Sequence, residues 1–132
     1  MTGEELVGKF EELAKRKTAL IRRKNSDYAK NGDAFSNFKG SSEEAGITVI
    51  QSFLHLMGIK RARLKELLSG KIPQNESITD TLIDLSNYAD LLNIYLSDQE
   101  AKKQALREGY TAEREAIKAR RAGVEIEYSK NG

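Results

Sequence analysis

The sequence predicts an all-α protein: a helical bundle of four to five helices, with a long functional loop after the first helix and a short extended C-terminal tail. Three observations predict it. Apolar residues recur at intervals of three and four through most of the chain. Ser or Thr followed three positions later by Glu recurs as a helix-start pattern, at Thr2–Glu5, Ser41–Glu44 and Ser97–Glu100. The 132 residues hold one proline and are 39% hydrophobic and 32% charged, rich in good helix formers.

Each element follows in order. Thr2 caps a first helix whose stripe of Leu6, Phe10, Leu13, Leu20 and Ile21 carries it to about Lys24. The segment from Arg22 to Ser42 is rich in Asn, Gly, Ser and Asp and reads as a long connection. Tyr28, Phe35 and Phe38 within it argue for order, and Asn31-Gly32 marks a turn. Ser41 starts a second helix that runs to about Ser69, with a bend at Gly46 or Gly58, and Ser69, Gly70 and Pro73 break the pattern. Asn75 or Ser77 caps a third helix reaching about Leu96. Ser97 restarts a fourth that ends at Gly109, Thr111 to Arg121 forms a charged helix, and the alternating GVEIEY after Gly123 reads as a short strand or arm. Residues 1–96 make a core domain with the pocket, and 97–132 make charged helices and a tail suited to oligomerisation.

Composition narrows the chemistry. A net charge of +2 gives no sign of a general nucleic-acid binder. With no cysteine, disulfides and thiol chemistry are out, and one histidine, His55, leaves little room for zinc or Ser-His catalysis. His55 lies off the apolar stripe and reads as a surface residue; KARRAG reads as a solvated helix end. No signal peptide opens the chain and no run approaches membrane-spanning length, so a cytoplasmic protein without membrane contact is expected.

Two helices break the bland pattern. On the third, Ile78, Leu82, Leu85, Ala89, Leu92 and Leu96 form the expected core face, and Thr79, Ser86, Asp90, Asn93 and Ser97 the expected solvent face. Asp80, Asp84 and Asn87 belong to neither, flanked by Ile83 and Ile94 on one side and Tyr88 and Tyr95 on the other. On the second, Phe53, Met57, Lys60, Leu64 and Leu67 follow helical spacing, so Lys60 stands at a core position with Arg63 beside it. Buried carboxylates need partners. Lys60 and Asp84 therefore form either a structural ion pair or one wall of a phosphate pocket, in which Lys60 and Arg63 hold phosphate. In the loop, Lys24, Asn25, Asp27, Tyr28, Phe35, Asn37 and Phe38 combine the amides and aromatic faces that suit a nucleobase. Asp80, Asp84, Asn87 and Tyr88 complete the candidate ligand-binding set.

KNSDYAKNGDAFSNF, IKRARLKELL and NESITDTLIDLSNYADLL together resemble the small bacteriophage and prophage proteins of the nucleotide modification associated domain, first type. That family carries a Lys-Asn-x-Asp-Tyr loop, a Lys-x-x-Arg-Leu helix and an Asp-Thr-Leu-x-Asp-Leu-x-Asn-Tyr helix. The resemblance spans Lys24 to Leu96 and implies phage origin and a link to nucleotide metabolism. Ile59 stands where the family often has an acidic residue, and AKNGDAF follows Tyr28 in place of a glycine. Both departures weaken the case for metal-dependent chemistry.

Three functions fit these residues. The favoured one is a homo-oligomeric protein of the bacterial host cytoplasm that holds a phosphorylated nucleotide without turning it over, needs no cofactor, and sequesters a signalling nucleotide to counter bacterial defence. The second is a magnesium-dependent nucleoside triphosphate pyrophosphohydrolase using Asp80, Asp84 and Asp27. The third is an adaptor bundle that binds a protein through exposed aromatics.

Overall fold

The computed structural model describes the backbone of residues 1–28, 32–72 and 77–131, and the side chains of these except 27, 28 and 124–131. It is all-α, with α1 (Gly3–Tyr28), α2 (Ser36–Ala45), α3 (Val49–Leu68) and α4 (Ile78–Asn131), and no strand among the described residues. The chain divides into two units, Met1–Asn93 and Ile94–Gly132, the division falling within α4. Among the described residues no helix is long and apolar enough to cross a membrane.

Local chemistry fixes the helix ends. At α1, Thr2 and Glu5 close a reciprocal capping box: Glu5 N–H donates to the Thr2 hydroxyl (3.1 Å) and Thr2 N–H to Glu5 Oε2 (2.6 Å). The helix passes the expected stop at Lys24 and reaches Tyr28, with the Ser26 hydroxyl bonding back to the Arg23 carbonyl at 2.8 Å. The long connection is shorter than expected, since α2 begins inside it. Asp33 folds its entry: one carboxylate oxygen accepts from Phe35 N–H (2.9 Å) and the other pairs with Lys39 (2.6 Å).

Ser41 and Glu44 therefore lie inside α2 and start nothing. The start that does form is Thr48–Gln51, whose side chains and N–H groups bond reciprocally at 3.1 and 2.9 Å. It is possible because Gly46, at φ +68°, ends α2 in the left-handed region, sending its N–H to Glu43 (3.1 Å) and Ile47 N–H to Ser42 (3.0 Å). Gly58, the other expected bend, sits in unbroken helix. α3 stops at Ser69, whose hydroxyl bonds the Glu66 carbonyl at 2.7 Å. Ser77 caps α4: Asp80 N–H donates to its oxygen (3.0 Å) and its hydroxyl to Asp80 Oδ2 (2.8 Å). The alternative cap, Asn75, and the break residue Pro73 lie outside the described residues.

The C-terminal expectation is corrected. Instead of two short helices and an extended tail, α4 runs without a break through Ser97, Gly109, Thr111 and the GVEIEY segment. Thr111 bonds its own helix at the Arg107 carbonyl (2.9 Å) and caps nothing. With no proline after Ser77, each glycine costs only about 1 kcal/mol, too little to end a helix of Ala, Glu, Lys and Arg. A lone alternating segment also lacks a strand to pair with, whereas a helix satisfies its own backbone.

The core of the first unit is small and aromatic. Phe38 stacks on Phe53 with ring centroids 4.5 Å apart, and Phe35 meets Phe53 edge-on at 6.5 Å. Leu67 and Ile83 are buried with them, and the fully buried Thr81 donates its hydroxyl to the Ser77 carbonyl at 2.8 Å. The expected stripe of α3 does turn inward, carrying Lys60 with it.

The expected core face of α4 does not turn inward. Ile78, Leu82, Ala89 and Leu96 are exposed and Leu85 and Leu92 half-buried, while Thr81, Ile83 and Asn87 are buried. The face inferred from hydrophobicity lost to the one that cations of α1 and α3 reach. On α1, Leu20 and Ile21 are half-buried, but Leu6, Phe10 and Leu13 are exposed, Phe10 by 66%.

Candidate functional site: a carboxylate shared by two lysines

Asp84 lies two turns into α4, on the buried side. Its Oδ2 is 2.9 Å from Lys60 Nζ of α3, and its Oδ1 is 3.5 Å from Lys24 Nζ of α1. The side chains of Lys60, Asp84 and Lys24 are 19%, 18% and 36% exposed. Taking three charges this far from water is unfavourable unless each is compensated. One carboxylate is thereby shared between two ammonium groups from different helices.

More cations arrive from α1. Arg16 pairs with Asp80 at 3.5 Å and Lys17 with Asp90 at 2.6 Å, so the nominal solvent face of α4 also meets α1. Between these helices lies a cavity of about 190 Å³, lined by Arg16, Arg23 and Lys24, by Asp80 and Asp84, and by the apolar Leu20 and Ile83. Three cations face two carboxylates, and Asp80 is already engaged with Ser77. A second, smaller hollow of about 20 Å³ adjoins, where Lys24 and Asp84 meet Phe38, Asn87, Tyr88 and two aliphatic side chains. Lys24 and Asp84 line both. Among the described residues no fully buried polar side-chain atom lacks a hydrogen-bond partner, and Asn87 is itself buried.

The structure brings Lys24, Lys60, Asp80, Asp84, Asn87, Tyr88 and Phe38 to this region. It sets others apart. Arg63 turns to Glu66 on its own helix, 3.7 Å away, and lines neither hollow. Phe35 is packed in the aromatic core, and Asn25 and Asn37 are exposed. Asp27 and Tyr28 fall on residues whose side chains lie outside those described. Arg16 and Arg23 escaped notice in the sequence although their signal was there: Arg16, Leu20, Arg23 and Lys24 follow the spacing of one helix face.

Among the described residues, no three His, Cys, Asp or Glu side chains gather in a way that could hold a metal ion. The chemistry the site offers is that of an anion cradle, one ammonium and two guanidinium groups lining a cavity beside two carboxylates. Comparison with protein-family models, with curated proteins and with solved structures finds no match to this chain.

Proposed function

We propose that this protein binds a small phosphorylated molecule, most simply a nucleotide, in the cavity between α1 and α4. The observation that carries this is the shared carboxylate. A structural ion pair needs one lysine for Asp84; here two meet it, beside two guanidinium groups and an open cavity. A phosphate entering the cavity offers Lys24 a stronger partner than the one it shares at 3.5 Å. Phosphate recognition thus falls to Lys24, Arg16 and Arg23, with Lys60 holding Asp84 in place, and Arg63 drops out. Asn87 and Tyr88 line the adjoining hollow, whose 20 Å³ is room for about one water, and support Asp84 from behind rather than the ligand itself.

Sequestration of a signalling nucleotide is the form this function takes in a phage-encoded protein that returns its ligand intact. The test is a thermal-shift and mass-spectrometric panel of mono-, tri- and cyclic nucleotides, with and without magnesium. Binding predicts stabilisation by phosphorylated ligands and not by nucleosides, recovery of intact ligand, loss of the effect in Lys24→Ala and Arg23→Ala, and retention in Arg63→Ala. Magnesium-dependent release of pyrophosphate would replace sequestration with hydrolysis. No stabilisation by any phosphorylated compound would remove the cavity as a binding site.

A further inference from the structure

We propose that the second unit pairs with a second copy of this chain as an antiparallel coiled coil, held in register by Lys103 of each copy against Glu113 of the other. The unit is a single helical stretch in which residues 100–123 are all exposed. Isolated helices depend on packing for most of their stability. The ion pairs along this one, Asp98–Lys102 at 2.9 Å, Glu100–Arg107 at 3.5 Å and Glu115–Lys118 at 3.6 Å, each add only a few tenths of a kcal/mol.

Its apolar residues have a pattern. Leu96, Leu106, Tyr110 and Ile117 are exposed, Leu106 and Tyr110 by 62% and 63%. At 100° per residue they fall within an arc of about 80°. Gln99, Lys103, Glu113 and Arg120 occupy the remaining positions of the same seam, completing an alternation of three and four from Leu96 to Arg120, about 36 Å of helix. Such a seam needs a partner of matching spacing, and a second copy supplies one.

The seam's charges select the direction. In a parallel pair each seam residue meets its own copy, which sets Lys103 on Lys103, Glu113 on Glu113 and Arg120 on Arg120. In an antiparallel pair centred near Glu108, Lys103 meets Glu113 twice and Leu106 meets Tyr110 twice. Ile117 then lies over Gln99, and the Arg120 stem crosses Leu96 with its head free to reach water. The one like-charge approach is Arg107 with its copy, and Glu100 on the same helix offsets each guanidinium. A polar pair in a seam specifies register at some cost in stability.

Sedimentation equilibrium of the full chain tests this. The wild type is expected to reach the mass of two chains as concentration rises. Lys103→Glu or Glu113→Lys alone should raise the dissociation constant about tenfold or more, because each creates two like-charge contacts. The combined K103E/E113K exchange should restore it to within about threefold of wild type. Circular dichroism confirms that each variant keeps its helix. A one-chain mass at every concentration overturns the proposal, as do single variants that dimerise like wild type or a double exchange that fails to recover. Polyphosphate binding by these variants reports separately on the cavity of the first unit, so neither proposal's failure imitates the other's.

Discussion

Replacing Asp84 with Asn keeps the shape of the side chain and removes its charge, leaving Lys24 and Lys60 without their common counter-ion. The N···O distances of 3.5 and 2.9 Å on opposite oxygens place the two ammonium groups within roughly 8 Å of each other. At an effective dielectric constant of about 20 that is a repulsion of about 2 kcal/mol, which the attraction of each lysine to the carboxylate outweighs in the wild type and no longer outweighs in the variant. Lys60 is the more enclosed and must also give up packing to reach water. A stability loss of about 2–3 kcal/mol follows, near the range for stripping a partner from a partly buried charge. Urea denaturation read by circular dichroism measures it. The anion-cradle account adds a second expectation: inorganic triphosphate should recover more stability in Asp84→Asn than it adds to the wild type, because Lys24, which lines the cavity, no longer shares the carboxylate. Wild-type stability in the variant would refute the energetics, and equal triphosphate shifts in both proteins would refute the cradle.

Lys60→Met should cost about 1–3 kcal/mol by denaturant titration, because it takes the 2.9 Å ion pair from the enclosed Asp84 and leaves it the longer one to Lys24; unchanged stability would contradict this. Phe53→Ala should cost about 3–5 kcal/mol, because the ring is fully buried and touches both Phe35 and Phe38; thermal unfolding reads it. At Gly46 a Cβ meets nothing within 4 Å, so Gly46→Ala should cost only the left-handed φ, about 1–2 kcal/mol, in the same assay.

Fold class was legible in the sequence because it rests on local rules. The Thr2 box and the Ser77 cap involve residues three apart, whereas Gly46, expected only to bend one helix, ends α2 outright. Thr48–Gln51 was missed because Gln was not sought at the capping position that Glu also fills. The long α4 was missed for a different reason: glycine and serine mark stops only where the chain has an alternative to helix, and past Leu96 it has none. The Lys60–Asp84 pairing was legible from two polar residues standing in apolar stripes. The choice of buried face on α4 was not, because apolar periodicity cannot see that Lys24 and Lys60, far off in the sequence, converge on the polar one. The α1 arginines were overlooked because a charged helix face reads as solvated until another helix is laid across it.

Isothermal titration of the wild type and Lys24→Ala with a nucleoside, its triphosphate and inorganic triphosphate tests the central claim most directly. The account predicts heat for the two phosphorylated compounds, none for the nucleoside, and loss of both signals in the variant. Equal affinity for nucleoside and triphosphate, or undiminished triphosphate binding by Lys24→Ala, would contradict it.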